Sequence, residues 1–437
     1  MRIAQKTVKH TPIDKLQDAF ISMLAGAHGL VEINTRLRSD SALQAAFGRS
    51  RCAEQSVVQQ ALDACTPENV SQMEQALDSI YRQHSHGYQH DYTRDWQLLD
   101  VDMSGMPCGP KAAFASPGYF AKQRNRRGRQ LGRRLSTRYG EVVVDRLFDG
   151  KTQLAKALQP LMEAAEQTLA LDERKRQRTL VRLDAGGGSV DDVNWLLSQG
   201  YQVHGKDYST SRAQRLAQSV SVWVDDPKVE GRQVGWVRLP ASEYVRPVRR
   251  LAVRCRKANG QWGVGVLIST MAPAEVLALT QQAPVSNSDP ASVRLSYVYL
   301  YDQRGGGVET SFKGDHQGLG STTRSKKRFA AQQMVILLGS LAHKVIVWAH
   351  EWLNAPAPLE PEQAQPTRPS CREPLPHYGP LRMVRDVFHM SGFLRWDACG
   401  HLVEIVLNQD ALLARRLLFS LRQLLAPMHV AINLGKT

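Results

Sequence analysis

The sequence lacks a long uninterrupted apolar run: no stretch approaches the roughly 18 apolar residues that span a bilayer. The opening from Met1 to Thr11 is polar and lacks the apolar core of a signal peptide. Cysteine is scarce. The six present (Cys52, Cys65, Cys108, Cys255, Cys371, Cys399) lie far apart and form no C-x-x-C pair, which argues against a zinc site or a disulfide framework and fits a reducing cytoplasm. Acid is missing where base is dense: nothing acidic lies between Asp102 and Glu141, a stretch carrying Lys111, Lys122, Arg124, Arg126, Arg127, Arg129, Arg133, Arg134 and Arg138. What is present is ample for folding, since 42% hydrophobic residues over 437 positions exclude wholesale disorder and suffice for two to four domains. The 56 basic residues against 41 acidic leave a formal charge of +15. Such a surplus points to a polyanionic partner, with a merely basic or membrane-apposed surface as the alternative.

Residues 1–90 read as helical, with apolar positions at helical spacing through Leu16, Phe20, Met23 and Leu24, and a start signal at Thr66-Pro67. A helix-turn-helix and plain helical packing are both open for this segment. From Trp96 the period changes to the alternation of a strand, and 91–205 follows as strands and helices in an α/β layer architecture. Residues 206–294 are β-rich, with a hairpin turn at Asn259-Gly260 between strands at Leu251–Lys257 and Trp262–Ser269. Strand character up to Tyr301 and a strong helix from Phe329 mark 295–353. Eight prolines make 354–380 a linker, and 381–437 reads as an α+β segment with a hairpin around Ala398-Cys399-Gly400 and a helix from Ala411 to Leu425.

Three acids stand out. Asp102 ends an apolar strand in LLDVDMSGMPCG, and Asp100, two residues earlier, points to the same sheet face. Asp184 ends the buried strand TLVRLD before a glycine run and a helix capped by Ser189. Glu309 enters a helix after Arg304 and three glycines. Acids at strand ends are costly to bury unless paired or bound to a cation. Each also has a plain reading: edge-strand aspartates facing solvent, and a helical glutamate paired with Lys313 at i+4.

Taken together, these acids and the blocks DVDMSGMPCG, PGYFAKQRNRRGRQLGR, LDAGGGSVDDVNWLLSQGYQVHGKDYS, YDQRGGGVETSFKGDHQGLG and KKRFAAQQMVILLGSLAHKVIVWA resemble the DDE transposases of bacterial insertion sequences, in the branch with a Tyr-x-x-Arg pattern before the last acid. The resemblance covers most of the chain. It implies a ribonuclease-H-like mixed sheet with flanking helices, formed by 91–205 and 295–353, with the β-rich 206–294 inserted and 1–90 binding DNA. It implies that Asp102, Asp184 and Glu309 are catalytic and hold Mg²⁺ or Mn²⁺, two ions in all, and that Tyr301 and Arg304 lie near DNA phosphates. The partners implied are double-stranded DNA, as element ends and target, and a second copy of the chain on DNA; the place is a bacterial cytoplasm, at the nucleoid, with no membrane. The sequence departs from the pattern in having four residues rather than three between Arg304 and Glu309, and His316 where a lysine is common.

DNA handling falls to the basic tract through Lys122, Arg124, Arg126, Arg127 and Arg129, and to the cluster Arg324, Lys326, Lys327 and Arg328, all suited to phosphate contacts. Trp236 and Trp262 are either hairpin core or stacking platforms for an unpaired base. His343, Trp348 and His350 read as packing. Two other functions stay open. The glycines around Gly186 and Gly188, with Asp207 beyond, resemble the cofactor loop of S-adenosylmethionine-dependent methyltransferases. A DNA-binding relic without catalysis would keep the basic surface alone.

Overall fold

In the computed structural model the described residues are 2–5, 9–118, 120, 126–281, 289–355, 375 and 378–436. The chain divides into two compact units, one of residues 78–312 and one of residues 1–77 with 313–437.

The 78–312 unit is built on a ten-stranded mixed sheet. Its strands are β1 (Gln97–Pro107), β2 (Ser116–Pro117), β3 (Arg127–Ser136), β4 (Glu141–Asp149), β5 (Thr179–Leu183), β6 (Gln202–Lys206), β7 (Val224–Asp225), β8 (Arg232–Trp236), β9 (Arg249–Arg256) and β10 (Trp262–Ser269). They lie in the order β2-β3-β1-β5-β6-β10-β9-β8-β7, with β4 also on β3. β1, β3 and β4 form an antiparallel meander. β5 and β6 then run parallel to β1, reached through the helices Leu154–Leu169 and Val190–Ser198 as parallel pairing requires. The expected β-rich insertion does form strands, and Gly260 takes the positive φ its hairpin turn needs. It is not a separate sheet, because β10 pairs with β6 and prolongs the central one.

One expectation is overturned. The run before Tyr301 is not a strand but the last turns of a helix, Pro290–Arg304, started by Pro290 and capped by Asp289, whose Oδ1 accepts the backbone N–H groups of Ala291 (2.6 Å) and Ser292 (3.0 Å). Tyrosine and valine favour strands only weakly, and here burial of Tyr297, Leu300 and Arg304 at helical spacing decides.

Two buried ion pairs brace the sheet. Arg182 on β5 stands opposite Asp100 on β1 and donates from Nε to Oδ1 (2.6 Å) and Nη2 to Oδ2 (2.9 Å), both side chains fully buried. Its Nη1 donates to the Leu300 carbonyl (2.9 Å) on the helix Pro290–Arg304. Arg133 on β3 makes the same fork to Asp145 on β4 (2.8 and 2.7 Å) and reaches Ser311 Oγ (2.6 Å).

The other unit packs the helices Pro12–Leu24, Gln55–Asp63 and Phe329–Asn354 around Leu16, Ile21, Val58, Leu62, Met334, Leu338 and Ile346. Thr11 and Asp14 form a reciprocal capping box at the first of these. Phe329–Asn354 is long and apolar enough to cross a membrane by length and composition, yet most of it is core. A three-stranded sheet, β11 (Gly392–Trp396), β12 (Leu402–Asn408) and β13 (Ala431–Gly435), and the helix Ala414–Leu424 complete this unit. The expected linker falls almost wholly outside the described residues.

Removing one member of a buried ion pair strands the other charge. Arg182→Met or Asp100→Leu alone should therefore lower the unfolding free energy of the 78–312 unit by about 3–5 kcal/mol, and the double substitution should recover a large part of that. Denaturant unfolding of the four proteins checks this; strictly additive losses would show that the pair is not coupled.

Candidate active site

Sheet register sets the two aspartates. Val101 on β1 is the parallel partner of Leu183, the last residue of β5; Asp102 is the next residue of β1, and Asp184 the first beyond β5. Both are half-buried. Asp102 Oδ1 accepts the Met103 N–H (2.8 Å), and Asp184 Oδ1 accepts the Gly186 N–H (2.8 Å) in the short turn that follows β5. Glu309 is exposed and closes a π-type turn, Gly305–Glu309, beyond the helix Pro290–Arg304. Gly307 breaks helical geometry there with ψ −107, and a Cβ on it would meet Asp100 Oδ2 at 2.7 Å, so only glycine fits this approach.

The three acids share one field. Burial, then the charges of Asp184 and Glu309, push the Asp102 carboxyl up to about 7, against the lowering influence of Arg304 and the Met103 N–H. Their oxygens do not all lie within 4.8 Å of one another; among the described residues only Asp397, Cys399 and His401 bring three ligand atoms that close.

Arg304 is 2% exposed and lies between strand end and helix. Its Nη2 donates to the Val101 carbonyl (3.0 Å) and stands 3.5 Å from Asp102 Oδ2, while Nε has no partner. Burial opposes its charge, but Asp102 foremost, with Asp100, Tyr301 and Asp184, raises its pKa above the ordinary arginine value. Its guanidinium lies 5.8 Å from the Tyr301 ring centroid, and burial raises the Tyr301 hydroxyl pKa while Arg304 lowers it.

The basic residues sort differently from the sequence expectation. Lys122 and Arg124 lie outside the described residues. Arg126 and Arg127 are exposed. Arg129 is not a surface contact: it is 1% exposed, and its Nε donates to the Ala113 carbonyl (2.7 Å). The tract is strand β3 from Arg127 onward, and its inward positions carry arginine; Arg134 is fully buried with no partner for any guanidinium nitrogen, and burial lowers its pKa to about 10. In the other unit, Lys327 and Arg328 are exposed, whereas Lys326 is buried with its Nζ donating to Gln59 Oε1 (2.6 Å). Arg324 is buried too, bonded to the Leu319 and Ala27 carbonyls. Trp236 packs edge-on against Tyr297 in the core, while the Arg254 guanidinium lies 4.5 Å from the half-exposed Trp262 ring and 4.1 Å from that of Trp223. His343 pairs with buried Asp315 (2.7 Å), a contact no sequence signal announced.

No family model matches this chain, and no curated protein matches it. Among solved structures it is similar to the piggyBac transposase in its synaptic complex with hairpin DNA, with a TM-score of 0.45 and 11% identity over 80% of this chain and 69% of that one. A likeness that faint carries no argument about fold or function.

Because Arg304 offsets the acids, Arg304→Met should destabilise the 78–312 unit by about 1–3 kcal/mol. The loss should shrink in an Asp102→Asn background, where the guanidinium has less charge to answer. Equal losses in both backgrounds, read by denaturant unfolding, would remove Asp102 from the contact.

Proposed function

We propose that the chain is a DNA transposase that cleaves and joins DNA through the carboxylates of Asp102, Asp184 and Glu309. The observation that carries this reading is that Asp102 on β1 and Asp184 just beyond β5 each follow a pair of register partners on adjacent parallel strands, and that Asp102 feels the charge of both Asp184 and Glu309. An antiparallel meander followed by two strands parallel to its first member supports the ribonuclease-H-like core that the sequence resemblance calls for. The extra residue between Arg304 and Glu309 is compatible with it, because a π-type turn holds one residue more than an α-helical one.

A carboxylate whose pKa is raised by two neighbouring carboxylates suits a hard divalent cation, Mg²⁺ or Mn²⁺, which takes oxygen donors and offsets that repulsion. When bound, two such ions activate an attacking water or 3′-hydroxyl and stabilise the leaving oxygen. The chain's own part is positional. Arg304 bonds to the middle of β1 through Val101 and holds Asp102, and Arg182 ties both strands to the helix that leads to Glu309. Exposed Arg126, Arg127, Lys327 and Arg328 are the described members of the basic set free of burial, and they are proposed to contact phosphates. The helical 1–90 segment, the pairing of two copies on DNA ends and a place at the bacterial nucleoid belong to the same proposal.

Two observations weigh against a methyltransferase. Gly188 sits where a Cβ would strike the Lys206 carbonyl at 1.8 Å, so it serves strand packing. Asp207, the candidate ribose ligand, is 4% exposed and already forked by Arg212 (2.8 and 2.6 Å).

Asp102→Asn, Asp184→Asn and Glu309→Gln should each abolish Mg²⁺-dependent cleavage of element-end DNA and leave DNA binding largely intact. Cleavage that persists in any one of them takes that residue out of the site. Replacing Arg126 and Arg127 with alanine should flatten the logarithmic salt dependence of DNA affinity by up to about 1.8, since each phosphate contact contributes about 0.9. An unchanged slope across a salt series would dismiss both as phosphate contacts.

A further inference from the structure

The hairpin joining β11 and β12 carries the sequence Asp397-Ala398-Cys399-Gly400-His401, and its three chemistry-bearing side chains converge. One carboxylate oxygen, the Cys399 Sγ and an imidazole nitrogen lie within 4.8 Å of one another. His401 Nδ1 stands 3.2 Å from Asp397 Oδ2. Asp397 Oδ1 accepts the N–H groups of Cys399 (2.8 Å) and His401 (2.8 Å), which leaves Oδ2 facing the imidazole. The His401 N–H foremost holds the Asp397 carboxyl below the usual carboxylate range, so it is ionised at neutral pH. All three residues are exposed.

We propose that this hairpin tip is a binding site for a borderline divalent cation, Zn²⁺, with Asp397, Cys399 and His401 as ligands and a fourth position left to water or to a donor from another molecule. Thiolate, imidazole and carboxylate are the zinc donor set, and a thiolate selects against Mg²⁺. Zinc at its usual bond lengths holds neighbouring donors about 3.4–3.8 Å apart, against the 4.8 Å within which these three atoms already lie. On binding, the Cys399 thiol loses its proton to solvent as the sulfur–metal bond forms, so affinity weakens as the pH is lowered. No C-x-x-C pair is needed for the site, because alternate residues of a tight turn supply the three different ligands. The three residues belong to a different compact unit from the three carboxylates, and the proposal does not depend on the transposase reading.

The test uses the full chain, reduced, with Co²⁺ as a spectroscopic stand-in and excess Mg²⁺ to saturate carboxylate sites. One equivalent of Co²⁺ should give a sulfur-to-cobalt charge-transfer band that Zn²⁺ displaces. Cys399→Ser should abolish the band, His401→Ala should weaken binding about tenfold or more, and Cys255→Ser, which removes the other exposed described thiol, should change neither. The tip is solvent-exposed, so circular dichroism should show all three variants folded. No band in the wild-type protein, or a band that survives Cys399→Ser, overturns the site.

Discussion

The fully buried pair of Arg182 and Asp100 is the constraint from which the rest of the candidate site follows. The two residues are register partners on parallel strands, so their fork fixes how β5 sits against β1. Side chains two apart on a strand share a face. Fixing Asp100 and Arg182 therefore also fixes the face presented by Asp102 and Asp184, one step nearer the strand ends. The third arm of Arg182 takes the Leu300 carbonyl, one helical turn before Arg304. One guanidinium thus sets the register of two aspartates and the seat of the arginine that answers them. A hydrophobic pair of equal volume would fill the same space and could be more stable, but it would not distinguish one register from another.

The same pair explains the last glycine of the run. After Arg304 the chain must turn over Asp100 to deliver Glu309, and Gly307 comes so close to Asp100 Oδ2 that no side chain fits. Gly305 and Gly306, which precede it, have open space and meet no such limit. Thr310 Oγ1 donates to the Gly305 carbonyl (2.7 Å) and closes the widened turn.

Local signals were legible in the sequence. The Asn259-Gly260 hairpin, the Ser189 cap and the Thr66-Pro67 helix start each depend on a few adjacent residues, and each stands in the structure as read, whereas the strand expected to end at Asp102 runs on to Pro107 because β3 continues to pair with it. The acids of the candidate site were legible for a related reason: an acid ending an apolar strand conflicts with its surroundings. What escaped depends on distant partners. Whether an arginine in β3 points to solvent or into the sheet turns on Asp145 across the strand for Arg133, and the plain charge pattern is silent on that. Asp100 looked like a companion of Asp102, but its role is set by an arginine 82 residues away. The strand reading before Tyr301 failed likewise, since residue preference for β structure yields to which face is buried.

The candidate site is built against its own stability, and that asymmetry argues for a bound cation. Asp100 and Asp145 each receive a full bidentate arginine, so these buried acids are neutralised within the fold. Asp102 receives a single guanidinium at 3.5 Å, shared with a backbone carbonyl, while Asp184 and Glu309 both act to raise its pKa. A fold able to pair its structural acids so completely has left this group under-neutralised. Uncompensated like charge in a half-buried place is costly unless something outside the chain compensates it. The donors are all oxygen, which suits the hard cation proposed for them, chemically distinct from whatever a thiolate and imidazole at the β11–β12 tip would hold.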